Sequence, residues 1–210
     1  MLGQIWLGQI DLLICAGLAI YLFGKNPFWR GLGIILALTK PQLTFLPIFL
    51  TLLLEIPRDW FKLLTPSFLV TLISLFLFGA DWPLAWINNA TTGLPVHVWR
   101  LASMDVWRFG IILLPLPLVF RNKKSRLIAG LLVSALATPF YGVYSYIVFL
   151  LFNIQGWMVA LSYAWLLAFF HFKETAMRFA WILPFAILVQ LLVNEWKDRH
   201  ASQAIKVPFE

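Results

Sequence analysis

Long apolar runs recur along this chain between residues 5 and 193, and charge falls largely in short clusters between them. A soluble domain carries about a quarter charged residues. Here the share is 12%, against 61% hydrophobic residues and a mean hydropathy of +0.85. Water cannot solvate the surface of a fold with so little charge, so lipid is the natural solvent for most of it. The runs read as roughly six to eight membrane crossings of about 20 residues each. The expected fold is all-α, a single polytopic transmembrane domain over 1–210 with about seven or eight helices, counting short or broken half-helices. The lipid bilayer is thus the first expected partner.

The net charge of +7 does not point to nucleic acid, because the basic residues sit in clusters between apolar runs, as cytoplasmic loops do. Cys15 is the single cysteine and excludes a disulfide framework within the chain. No basic stretch precedes the first apolar segment and more apolar segments follow at once, so residues 1–24 read as a retained helix rather than a signal peptide.

The first segment extends from about Ile5 to Phe23 and stops at Gly24-Lys25-Asn26-Pro27. A second, Gly31 to Leu54, is interrupted by Lys40-Pro41, and a third spans Leu63 to Phe78. A polar stretch from Asp81 to Trp107 follows, then a short apolar run from Phe109 to Phe120 and the most basic segment, 121–126. Further helices are expected over Leu127–Phe170 and Phe179–Val193, with a polar tail from Asn194. Both basic loops, 24–30 and 121–126, belong on the cytoplasmic side, so an even number of crossings separates them. Three apolar runs intervene, so one must be a pair of half-crossings. The run broken at Lys40-Pro41 is the candidate, since proline removes a backbone donor and disfavours helix at the residue before it. Lys40 then sits at the tip of a hairpin entering from the cytoplasm, and 81–107 is an outer-face loop with Trp82, Trp86 and Trp99 as interfacial anchors.

No phosphate loop, His-Glu-x-x-His, Cys-x-x-Cys or Gly-x-Ser-x-Gly is present. With three histidines and one cysteine a soft-ligand metal site is not expected, while a hard divalent cation at Asp81 or Asp105 stays open. Ionisable residues at membrane depth are expensive and therefore candidates. Lys40 at a broken-helix tip offers an ammonium to an anion such as a lipid phosphate, with Gln42 beside it; the alternative is a lysine snorkelling to the interface. Asp11 is either a site residue or a carboxylate near a helix N-terminus. Asp81, before Trp82-Pro83, reads as a helix N-cap. Asp105 with Arg100 and Arg108 is either a loop ion pair or part of a charged-substrate site. Tyr141, Tyr144 and Tyr146 either stack on a sugar or belong to an aromatic belt.

Four segments then carry a resemblance. Gly8-Gln9-Ile10-Asp11, the small-residue stretch Gly31 to Lys40-Pro41-Gln42, Leu77-Phe78-Gly79-Ala80-Asp81-Trp82, and Ala137-Thr138-Pro139-Phe140 followed by Tyr144 occur in the order and spacing of one group of polytopic enzymes. The chain resembles the GT-C superfamily of membrane glycosyltransferases. Within it the chain looks similar to glycosyltransferase family 87, the polyprenyl-phosphate-mannose-dependent mannosyltransferases. That resemblance implies transfer of a hexose, mannose above all, from a polyprenyl-phosphate donor to a lipid or glycan acceptor on the outer face of the inner membrane, without a soluble cofactor. Lys40 and Gln42 would meet the donor phosphate, and Gln9, Asp11, Arg100, Arg108 and Tyr144 would line the cavity. In such enzymes the general base is an aspartate in an outer loop upstream of the Gly-Gln motif, which here follows Met1 almost directly. The resemblance therefore covers a C-terminal portion: either the sequence is a fragment of a truncated or split gene, or a partner chain supplies the missing half, or it is an inactive remnant. Asp11, Asp81 and Asp105 are the base candidates this chain holds. A non-catalytic membrane subunit or scaffold, and a small lipid transporter or flippase built on the broken helix, are the alternatives.

Overall fold

Prolines and asparagines decide where the helices begin. The computed structural model describes residues 11–92, 106–138, 143–151 and 155–204. Helix α1 covers Asp11–Phe23. Asn26 then accepts the Phe28 N–H at 2.8 Å and Pro27 takes the first helical position of α2 (Pro27–Ala37). Pro41 opens α3 (Pro41–Leu52) and Pro57 opens α4 (Pro57–Phe78), each where a missing N–H leaves no helical bond unmade. After α5 (Trp82–Thr92), α6 (Trp107–Ile112) and a 3-10 turn (Leu116–Val119), Asn122 caps α7 (Lys123–Ala137) by accepting the N–H groups of Lys124 and Ser125. A 3-10 stretch (Val143–Leu151), α8 (Gly156–Ser162), α9 (Ala164–Phe172), a second 3-10 stretch (Lys173–Trp181) and α10 (Ile182–Ala204) complete the order.

Small residues set the packing, as they do where helices must approach closely without a hydrophobic drive. Gly17 on α1 faces Gly33 on α2, and a Cβ on either would lie 2.6 Å from the other's carbonyl oxygen. Gly130 on α7 lies against Pro47 of α3. The α7 helix is the centre of the fold, buried from Arg126 through Leu136. The α4 helix is the opposite case: only Leu63 and Pro66 are buried, while Phe61 and Phe76 are 84% and 89% exposed.

All described elements are helical. Two helices, Pro57–Phe78 and Arg178–Ala201, are long and apolar enough to cross a membrane. The 11 residues of α2 and 12 of α3 rise about 16 and 18 Å, well short of the roughly 30 Å hydrocarbon thickness. The run Gly31–Leu54 is therefore two short helices, broken where the proline placed the break. Arg30 and Lys123 both pair with Glu55, so the starts of α2, α4 and α7 share one end of the molecule. The Thr138 hydroxyl lies 3.3 Å from the Gln42 carbonyl, so the far end of α7 meets the start of α3.

Two expectations need correcting. The polar stretch after Asp81 is helical over Trp82–Thr92, because Asp81 occupies the position before the helix and its carbonyl accepts the Ala85 N–H at 3.0 Å. The last helix does not stop at Val193 but continues to Ala204, through a polar segment stabilised by the Glu195–Arg199 pair one turn apart. After the 3-10 stretch, a break at Tyr163 divides α8 from α9, so the apolar run here holds two short helices rather than one long one.

Candidate functional site

Local chemistry builds the tip between α2 and α3. Lys40 precedes a proline and takes φ −132° and ψ 76°, outside the helical region. The carbonyls that a broken helix leaves behind are met by threonine hydroxyls: Thr39 donates to Leu36 O at 2.8 Å, and Thr44 to Ala37 O at 2.7 Å with Lys40 O at 3.3 Å. Thr44 is fully buried, so the break is satisfied internally rather than by water.

Onto this tip the fold brings two distant side chains. The Lys40 ammonium donates to Asp11 Oδ1 at 3.0 Å and to Ser145 Oγ at 2.9 Å, and the Ser145 hydroxyl lies 3.3 Å from Asp11 Oδ2. The Asp11 side chain is completely buried, whereas that of Lys40 keeps 15% of its surface. The α2 helix, from the shared basic end to the tip, rises only about half as far as the 22 residues of α4 beside it. Gly31 packs against Leu63 O and Pro66 of α4, so α2 runs beside that helix.

The other sequence candidates divide clearly. Gln42 is exposed, one residue past Pro41. Arg108 is exposed on α6, its guanidinium 5.4 Å from the Trp107 ring centre. Asp81 is exposed ahead of α5. Tyr144 lies in the 3-10 stretch, with its side chain outside the described set, and Tyr146 donates to Ala180 O. Gln9, Arg100, Asp105 and Tyr141 lie outside the described residues. Among the described residues no three His, Cys, Asp or Glu side chains converge on a metal-sized site.

Sequence reasoning passed over Ser145 and Thr44. Thr44 had a signal, a hydroxyl four residues after a helix break. Ser145 had none, being 105 residues from Lys40. It also passed over the ionic node at the opposite end, where Glu55 pairs with both Arg30 and Lys123. Burial alone would raise the Glu55 carboxyl, but hydrogen bonds from Lys123 and Arg30 and their charges outweigh it and hold the pKa below the ordinary value. No family model, curated protein or solved structure matches the chain.

Proposed function

We propose that the chain is a multi-pass inner-membrane protein that receives an anionic, lipid-linked headgroup at Lys40. On this reading it is the membrane portion of a GT-C-like hexosyltransferase that moves a mannose-type sugar from a polyprenyl-phosphate carrier to a lipid or glycan acceptor on the outer face. The observation that supports it is the cluster at the helix break, where the Lys40 ammonium meets the buried Asp11 carboxylate and Ser145 while the lysine side chain keeps 15% of its surface. Such a cation, fixed in a poorly solvated setting, favours a phosphate and the charge that develops as it leaves. Asp11 is engaged through both oxygens, so the acceptor proton would go to another carboxylate, supplied by a partner chain.

The test uses the full chain in neutral detergent, with binding of a polyprenyl phosphate compared with the uncharged polyprenol by native mass spectrometry. Retention that depends on the phosphate, and is lost in Asp11→Asn/Lys40→Gln without loss of melting temperature, is the expected result. Equal retention of the uncharged alcohol would remove the headgroup role. The complete burial of Asp11 favours a second reading, in which the pair is a structural lock in a non-catalytic subunit. Under that reading Lys40→Ala strands a buried carboxylate and costs about 3–5 kcal/mol, the double variant recovers most of the loss, and no phosphate dependence is seen.

A further inference from the structure

The end of the molecule opposite Lys40 holds a concentration of positive charge that the headgroup reading leaves unused. Arg30 and Lys123 share the single carboxylate of Glu55, and both stand over the Tyr21 ring, at 5.5 and 4.2 Å from its centre. One anion serving two cations leaves the node net positive. Lys25, Arg121 and Lys124 are exposed in the same loops, and the Lys124 ammonium is 6.0 Å from the centre of the Phe23 ring. The surface beside these cations is aromatic and bare: Phe23 is 65% and Trp29 59% exposed.

Cations alone would suit any anion. Cations next to exposed tryptophan and phenylalanine suit an anion that carries its own hydrocarbon. We propose that this end is a binding surface for anionic phospholipid headgroups, centred on the Arg30–Glu55–Lys123 node and rimmed by Phe23 and Trp29. The headgroup phosphate lies against Lys25, Arg121 and Lys124, and the two rings enter the boundary between headgroups and acyl chains. This inference needs the chain to lie in a bilayer but not to transfer a sugar.

The experiment takes the full chain in neutral detergent and measures retention of phosphatidylglycerol and phosphatidylcholine by native mass spectrometry, for wild type and Arg121→Gln/Lys124→Gln. Both substituted side chains are exposed, and an unchanged melting temperature in phosphatidylcholine verifies that the fold survives. Phosphatidylglycerol should be retained preferentially, with affinity falling about fivefold per cation removed, since each basic residue near an anionic surface contributes on that scale. Equal retention of the two lipids, or a double variant as tight as wild type, overturns the proposal. Full displacement of phosphatidylglycerol by millimolar inorganic phosphate also overturns it, because the site would then take a soluble anion. If the fold of this variant fails, Lys25→Gln, on the loop before α2 rather than at the start of α7, supplies the same comparison.

Discussion

Arg126 lies inside the most basic segment of the chain, yet it is not a surface charge. It is 9% exposed and its guanidinium donates to Phe120 O at 2.9 Å, with Leu118 O at 3.4 Å and Leu50 O at 3.5 Å. These carbonyls close the 3-10 turn and the last turn of α3, where a cation also meets the negative end of the helix. Arg126→Met should therefore lower stability by about 2 kcal/mol, and Arg121→Met, exposed, by less than about 0.5, in denaturant titrations of the detergent-solubilised chain. Glu55 gives a pH signature. Its folded pKa is depressed, so its contribution is present above the ordinary carboxylate range and is lost as pH falls through the folded value. Lys123 is also lowered, mainly by burial, so its protonated form carries a cost that disappears only above its ordinary pKa, far from the acid limb. Melting temperature should thus fall on acidification below about pH 4.5, and Glu55→Gln should flatten that limb while lowering stability at neutral pH by about 2 kcal/mol. A parallel acid limb in the variant would deny Glu55 this role.

At the scale of elements, the hairpin α2–α3 is stable because each arm has its own neighbour. The α2 helix packs on α1 through Gly33 and Gly17 and on α4 through Gly31, while α3 lies on α7 through Pro47 and Gly130. The two arms are thus held from outside, and their tip is tied by Thr44 to the Ala37 carbonyl and by Lys40 to Asp11 and Ser145. A side chain at position 33 collides with backbone, not with a flexible neighbour, because its Cβ would stand 2.6 Å from Gly17 O and 2.8 Å from Tyr21 N. Gly33→Val should cost about 3 kcal/mol and separate α1 from α2, which also draws Asp11 away from Lys40. Cysteine crosslinking between α1 and α2 should fall together with stability in this variant. A stable protein with unchanged crosslinking would show that the contact is not close.

At the scale of the molecule, charge and apolar surface are separated along one axis. The basic loops gather at one end, the Lys40 cluster lies partway along, and α4 runs past it with an apolar exposed face. In water such a face is an aggregation surface; in hydrocarbon it is matched. Reporter fusions at Gly79 and at Asn122 should therefore fall on opposite sides of the membrane, with Asn122 inside by the distribution of basic residues. A shared side would mean that α4 does not cross.

The apolar content, the break at Lys40-Pro41 and the gathering of two basic loops at one end were readable from the chain, because each rests on composition or on residues within a few positions. The break at Lys40-Pro41 is the clearest instance, since a proline dictates it locally whatever surrounds it. The extent of the last helix was not legible, because polar residues end an apolar pattern without ending a helix. Which charges meet was decided only in three dimensions. Asp11 and Ser145 reach Lys40 from 29 and 105 residues away, and Glu55 reaches Arg30 from 25. Those meetings depend on glycines that let backbones touch, a property of pairs of helices that no single stretch of sequence contains.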